Sequence, residues 1–501
     1  MKENTNKTIV YNSIILYLRL ALTTFCSLLT TRFAFKALGI VDYGLFSILG
    51  GIISFIAIVN SIMAGTTRRF IAVAIGKKNI DEINEQFNVN LIIQVLAAII
   101  VLIIAIPIGK YYIFNYVNYD GSLSTAYYVF CISLFGSVLS FAGVAYNGLL
   151  TAKENFFVFC LVDVMSHVLK LAVALLLVYY FENKLLIYTA SISILTGGCA
   201  IIYAIYCNKR YSEITKFKFV KKWRKYKEVL NFAKWNSFGV VTCVAKDQGA
   251  GIIINMFFNT IMNAALGIAN TINGFILMFT YNATSPISPQ LTKSYSAKDM
   301  DRTTTLLIVS NKVAFLLMYL IAIPFLIETE FILLFWLGEV PPFAVIFIKL
   351  LIIERLIDSL NNGIAEVIFA NGNISFYQIS TNTIRLLSVI IGFFILKIGH
   401  PAYYLFLCYI VASLFVVLLK QISLNRVREI DSKLILVKSY VPSMLITIAT
   451  LPIFFIDLAI HPLLNIFIME AFVVFVIIAF GLSKSDRKHL FKFLKQRLNY
   501  E

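Results

Sequence analysis

The sequence predicts an all-α integral membrane protein of about fourteen transmembrane helices, built as two six-helix units followed by two further helices. Three observations predict it. Of the 501 residues 59% are hydrophobic and only 14% charged, and the mean hydropathy is +0.84, whereas a soluble domain is about half apolar and about a quarter charged. The apolar residues form unbroken blocks such as Leu91–Ile108 and Ala471–Leu482, which suits spanning helices of about 20 residues rather than alternating barrel strands of ~10. Lysine and arginine collect in every second break between blocks.

Taken in order, the apolar blocks place spans at 10–36, 44–65, 87–108, 125–150, 157–180, 185–206 and 231–257. Seven more follow at 262–288, 304–327, 343–370, 374–396, 402–424, 437–457 and 463–482. The chain thus divides into a first lobe (1–208), a basic linker (209–230), a second lobe (231–424), a helix pair (425–482) and a basic tail (483–501). No cleavage pattern follows the first apolar stretch, so it is expected to remain as a helix. The longest segment on the predicted outer side is about 109–124, too short for a folded domain.

The formal net charge of +17 belongs to the loops. With the N-terminus inside, the cytoplasmic breaks carry Arg68, Arg69, Lys77 and Lys78, then Lys153, then a run of nine cations from Lys209 to Lys227. Lys293, Lys298 and Arg302 follow span eight, and Lys420, Arg426, Arg428, Lys433 and Lys438 follow span twelve. The opposite side and adjoining helix ends hold only Arg32, Lys36, Lys110, Lys184 and Lys397. Cytoplasmic loops accumulate Lys and Arg, so both termini are expected in the cytoplasm. Contact with anionic lipid accounts for the charge, and no nucleic-acid partner is expected. The linker is expected to form an amphipathic surface helix with Trp223, Tyr226 and Val229 on one side.

Two segments echo each other at an offset of roughly 220 residues. Leu38-Gly39-Ile40-Val41-Asp42-Tyr43-Gly44 and the later Ile75-Gly76-Lys77-Lys78-Asn79-Ile80-Asp81 correspond to Ala265-Leu266-Gly267-Ile268-Ala269-Asn270 and Tyr295-Ser296-Ala297-Lys298-Asp299-Met300-Asp301. A duplicated six-span unit produces such spacing, and duplicated transporters bind substrate between their halves near the membrane midplane.

Arg32-Phe33-Ala34-Phe35-Lys36-Ala37-Leu38-Gly39 followed by Asp42-Tyr43-Gly44 resembles the start of polysaccharide-unit flippases. Asp247-Gln248-Gly249 with Ile252-Ile253-Ile254, and Trp336-Leu337-Gly338 near Pro341, resemble later stretches of the same proteins. The resemblance is to the multidrug/oligosaccharidyl-lipid/polysaccharide (MOP) exporter superfamily, and within it to Wzx-type O-antigen flippases. It implies a MATE-like fold, two six-helix lobes around a central cavity. It implies movement of an undecaprenyl-pyrophosphate-linked glycan, an O-antigen or capsule repeat unit, from the inner to the outer leaflet of the bacterial inner membrane. Coupling to a proton, a sodium ion or the membrane potential, and contact with polysaccharide polymerase machinery, follow from the same resemblance. The sequence departs from drug exporters in its few acidic residues in the first lobe. It departs from lipid II flippases in its sparse charge in the first two spans, where Arg19 and Arg32 are the candidates.

A charge at the bilayer centre costs about 2.5–3.5 kcal/mol on insertion scales, so deep charges are functional candidates. The deep cations are Arg19, Lys170, Lys246, Arg355 and Arg385. They suit a pyrophosphate, and guanidinium groups can grip it two-pronged. Asp163, His167, Asp247 and Asp358 are candidates for coupling or for ion pairs. Helical spacing offers Lys170 to Asp163 and Arg355 to Asp358, whereas Arg19 and Arg385 have no acidic neighbour within a turn. Lys234, Lys312 and Lys349 can snorkel to a membrane face. Glu354 and Glu366 are weaker candidates. Asn60, Asn255, Asn270, Asn273, Tyr281, Asn282, Asn361 and Asn362 could meet sugars.

No catalytic or cofactor pattern stands out, and an enzyme is not expected. His167, His400, His461 and His489 have no metal-ligand spacing, no Walker sequence is present, and the seven cysteines include no CxxC pair. A membrane polymerase or ligase of the same pathway would need a larger outer loop. A drug/cation antiporter of the same superfamily would need an acid-rich cavity.

Overall fold

The computed structural model describes residues 2–76, 79–153, 155–372, 374–427, 430–454 and 460–481. The tail 483–501, with its cations, and Lys77, Lys78 and Arg428 lie outside the described residues. So do the side chains of Arg69 and Lys234.

The described chain is helical and contains no strand. Its helices are α1 (Lys2–Gly76), α2 (Ile80–Tyr116), α3 (Leu123–Ala152), α4 (Phe156–Tyr179), α5 (Lys184–Arg210), α6 (Ser212–Thr215), α7 (Trp223–Phe257), α8 (Thr260–Thr284) and α9 (Ile287–Ser296). They continue as α10 (Met300–Ile327), α11 (Thr329–Leu337), α12 (Ala344–Ser359), α13 (Ile364–Asn371), α14 (Ser375–Lys397), α15 (Tyr404–Asn425), α16 (Ser432–Ile435), α17 (Val441–Thr450) and α18 (Pro462–Val476). A π-helical turn, Leu436–Tyr440, joins α16 to α17, and another, Ile477–Gly481, extends α18.

Among the described residues eleven helices are long and apolar enough to cross a membrane. The remaining expected spans fall on segments that such a test passes over. The 75 residues of α1 hold spans one and two, separated at Gly39, whose φ of 73° breaks the helical path. That left-handed value is open to glycine and costly for other residues. Span seven is α7. Span ten is broken into α12 and α13 by the turn at 360–363. The chain is a multi-pass membrane protein.

Helix ends follow local chemistry. Asn79 caps α2 by accepting from the Glu82 amide, and Asp299 caps α10 by accepting from the Arg302 amide. The expected outer loop at 109–124 shrinks to 117–122, because α2 runs on to Tyr116. The run past Pro107 is largely apolar and aromatic and continues the helix despite its modest helix propensity.

The linker differs from the expected amphipathic helix. The linker is not one helix: Lys209 and Arg210 end α5, Ser212–Thr215 forms a short turn of helix, residues 216–222 are non-helical, and Trp223 onward belongs to α7. Five lysines within Lys216–Lys222 and Lys225 repel one another along a helix face. Tyr226 and Val229 are buried against α1 and α2 with Val220, Ile62, Met63 and Val89, while Trp223 is exposed.

The chain forms two compact units, Met1–Ile268 and Ala269–Glu501. The core of the first contains Ile71, Phe87, Ala145, Leu149 and Cys207. That of the second contains Leu291, Leu307, Val367, Leu424 and Ile435. The outer surface of α2 presents Leu96, Ile99, Ile100, Ile103 and Ile104, an apolar face that lipid covers at no cost in water exposure.

Candidate functional site

In the first unit α1 and α4 bring Arg19 to Asp163. The Arg19 Nε donates to Asp163 Oδ2 at 2.7 Å, and its guanidinium carbon lies 4.5 Å from the centre of the Phe159 ring. Both side chains are half-buried, 29% and 25% exposed. Sequence spacing alone offered Lys170 as the partner of Asp163; the aspartate is instead taken by an arginine from another helix. His167 lies one turn along α4, its Nδ1 2.9 Å from the Asp163 carbonyl and 3.9 Å from the carboxylate. Lys170, a further turn along, forms no ion pair among the described residues. Arg19 uses only Nε for Asp163. Its two terminal nitrogens have no protein hydrogen-bond partner among the described residues. A planar guanidinium carries five donors, so this one retains a fork for a second anion.

Lys246 and Asp247 sit in α7, which packs along α1 and α2. Lys246 is buried and Asp247 half-buried.

In the second unit Arg385 on α14 lies 3.7 Å from Asp358 on α12. The helical spacing had assigned Asp358 to Arg355, three positions away. The Arg355 Nε also lies 3.8 Å from Glu354, which is 1% exposed and accepts from the Ser413 hydroxyl on α15 at 3.3 Å. Each arginine expected to stand without an acid therefore meets an aspartate from another helix of its own unit. Spacing along a single helix carries no information about such partners.

The same unit holds a cavity of about 790 Å³ among α10, α12, α17 and α18. Phe315, Ile353, Leu356 and Ile357 make it largely apolar, with Glu328, Lys349 and Asn465 among its polar residues. No candidate from the deep-cation set lines it. Lys349 thus faces a cavity, while Lys312 donates to the Gly481 carbonyl at 3.4 Å.

Several of the polar candidates for sugar contact are engaged by the protein. Asn60 donates to Ser140, Asn362 to Ser310, and Asn361 accepts from Tyr440. Asn282 bonds the Met278 carbonyl. Asn270 and Tyr281 are exposed, and Asn273 is buried with its carbonyl oxygen unbonded. Glu366 accepts from Ser288. Among the described residues no three His, Cys, Asp or Glu side chains are grouped to hold a metal ion.

Sequence reasoning did not find the cluster at the loop 117–122. There the Asn118 amide donates to Asn255 Oδ1 at 3.0 Å, and Tyr119 donates to Asp42 at 2.7 Å. Asp42 belongs to the Asp42-Tyr43-Gly44 triplet. Tyr43 packs edge-on against Phe35, with centroids 5.3 Å apart. A Cβ on Gly44 would collide with the Thr260 carbonyl oxygen, so α1 and the start of α8 approach as only glycine permits. The triplet is thus spent on packing α1 against its neighbours. Burial, and secondarily the Asp42 carboxylate, raises the Tyr119 phenol above its ordinary range.

Comparison with protein-family models and with curated protein sequences gives no match. Solved structures do match. A multidrug resistance MATE family transporter of the MOP superfamily, in its inward-facing conformation, aligns with a TM-score of 0.68 and 12% identity over 82% of this chain and 99% of that one. The lipid II flippase MurJ, in an inward closed conformation, aligns with a TM-score of 0.66 and 15% identity over 93% and 97%. The MATE multidrug transporter DinF-BH aligns at 0.59 and 15% over 84% and 96%. The fold of this chain is that of the MOP-superfamily transporters.

Proposed function

We propose that this protein is a flippase that carries a polyprenyl-pyrophosphate-linked oligosaccharide, an O-antigen or capsule repeat unit, from the inner to the outer leaflet of the bacterial inner membrane. The observation that carries the reading is Arg19. Its charge is held in place by Asp163 and Phe159 while its terminal nitrogens remain open to a further acceptor. The oxygens of a pyrophosphate accept two-pronged bonds from such a planar guanidinium fork, and compensating cations lower the cost of carrying it across hydrocarbon. The fold shared with a lipid II flippase supports a lipid-linked substrate. The apolar cavity beside α17 and α18 offers room for part of a polyprenyl chain. Arg385, Lys170, Lys246 and Arg355 are further candidates for contact with the anion, and Asp163, His167, Asp247 and Asp358 are exchange partners or coupling groups.

The fold is equally that of multidrug transporters, so export of an organic cation is the second reading. Purified protein in proteoliposomes distinguishes the two. Transfer of a fluorescent polyprenyl-pyrophosphate oligosaccharide to the opposite leaflet, lost in Arg19→Ala, supports the flippase. Uptake of a fluorescent cationic dye that survives Arg19→Ala, with no lipid transfer, overturns it.

A further inference from the structure

We infer that the segment from Lys216 to Lys227 is an interfacial anchor that seats on anionic phospholipid, and that Phe217, Phe219 and Trp223 are the side chains entering the bilayer surface. This holds whatever the protein transports.

The first ground is exposure. Phe217 and Phe219 are each 65% exposed and Trp223 is 70% exposed, on a segment whose backbone is firmly held. Asn84 on α2 donates to the carbonyls of Ile214 and Lys216 at 2.8 Å each, and Asn88 donates to Lys216 at 3.1 Å. Val220 and Tyr226 are buried, and the Tyr226 hydroxyl donates to the Val220 carbonyl at 2.9 Å. The protein therefore fixes the strap by its backbone and by two inward side chains while leaving three large rings uncovered. Phe217 and Phe219 stand two positions apart in a non-helical stretch, and Trp223 lies over Tyr226, centroids 6.0 Å apart.

The second ground is depth. Asn84 lies three residues before residue 87, where the third span is expected to begin, and Asn88 one residue after it. At ~1.5 Å per helical residue this puts the carbonyl they hold within about 5 Å of the hydrocarbon edge. That is headgroup depth, where aromatic rings are favoured and where amphipathic surface elements lie.

The third ground is charge. Lys216-Phe217-Lys218-Phe219-Val220-Lys221-Lys222-Trp223-Arg224-Lys225-Tyr226-Lys227 contains seven cations and no acid. Lys225 and Lys222 are drawn to Glu85 on α2, Lys222 at 3.6 Å, and Arg224 to Glu228 at 3.2 Å. Lys216, Lys218, Lys221 and Lys227 remain exposed among the rings. Alternating aromatic and cationic side chains complement an anionic lipid surface.

Tryptophan quenching tests this in the intact, reconstituted protein. The difference between wild type and Trp223→Phe isolates Trp223, since Trp235 and Trp336 are common to both. In bilayers containing phosphatidylglycerol, the Trp223 signal is expected to be quenched by lipids brominated near the headgroup. Its quenching by aqueous iodide should be at least about three-fold weaker than in bilayers of phosphatidylcholine alone. Replacing both phenylalanines, Phe217→Ser with Phe219→Ser, should restore aqueous quenching while leaving thermal unfolding unchanged. Equal iodide quenching in the two bilayers, or no bromolipid quenching in either, overturns the inference.

Discussion

Arg19 and Asp163 are 144 positions apart, yet the guanidinium and carboxylate meet at 2.7 Å across two helices. The second unit also pairs charges across helices: Asp358 on α12 meets Arg385 on α14. A deep charge held by one opposite charge is tolerable in the bilayer and can still be exchanged for a substrate anion.

Arg19→Ala is expected to abolish lipid-linked glycan transfer while protein level stays measurable, with a loss of stability of about 1–3 kcal/mol for the broken charge-assisted bond. Arg19→Lys should recover only part of the transfer, because an ammonium lacks the planar fork. The exchange Arg19→Asp with Asp163→Arg is the sharper control. It should regain stability without regaining transport, read by thermal unfolding and vesicle transfer together. Full transport in the exchanged protein would make the pair purely structural.

Span positions, the kink between the first two spans and the break near Trp336-Leu337-Gly338 were legible because apolar block length and glycine placement encode them locally. The deep arginines were legible from depth alone. Their partners were not: Asp163 and Asp358 reach across helices, and one-dimensional spacing pointed to Lys170 and Arg355. The linker was misread for a similar reason. Trp223, Tyr226 and Val229 do share a helix, the start of α7, but Asn84 and Asn88, more than 120 residues earlier, hold the carbonyls of Ile214 and Lys216, and residues 216–222 between them are not helical.

Gly44→Ala is expected to lower thermal stability sharply or prevent insertion, since the new Cβ collides with the Thr260 carbonyl, backbone that cannot swing aside. Gly39→Ala has open space, nothing within 4 Å, and strains only the backbone at φ +73°. It should cost about 1–3 kcal/mol. Fluorescence-detected size exclusion after a heating series ranks the two; equal tolerance would contradict the close approach of α1 and α8.

Tyr119 gives an alkaline signature. Its phenol titrates above the ordinary value of ~10 because burial and Asp42 disfavour the phenolate. A raised pKa on this acid contributes stability that is fully present below the unfolded value and is lost as pH rises through the folded one. Unfolding midpoints measured upward from pH 9 should fall for wild type and fall less for Tyr119→Phe. Tyr119→Phe should also lower the midpoint at neutral pH, by about 1 kcal/mol for the missing hydrogen bond to Asp42.

Topology follows from the loop charges. A single cysteine at Tyr116 should react with a membrane-impermeant maleimide in intact cells. One at Lys218 should react only after permeabilisation, because lysine-rich loops stay in the cytoplasm. The seven native cysteines are replaced first, with transport confirmed. The reverse labelling pattern would invert the proposed direction of transfer.

Arg355 and Arg385 share a charge and a unit but have different surroundings, and their variants should separate. Arg355 lies beside Glu354, which is almost wholly buried and tied to Ser413. Removing the guanidinium leaves that carboxylate to bear its burial with less compensation, a cost of about 3–5 kcal/mol when a buried pair is broken. Arg355→Ala should therefore lower the amount of folded protein in the membrane, and Glu354→Gln should rescue it by removing the stranded charge. Arg385 lies 3.7 Å from Asp358, whose side chain is 17% exposed against 1% for Glu354, so water reaches the aspartate left behind more readily than it reaches Glu354. Arg385→Ala should reach the membrane at near-normal level and fail in transport, and Asp358→Asn should not rescue it. Protein level and lipid transfer, measured on all four variants, decide the matter. Rescue of transport in Arg385→Ala by Asp358→Asn would show that this arginine serves only to neutralise its partner.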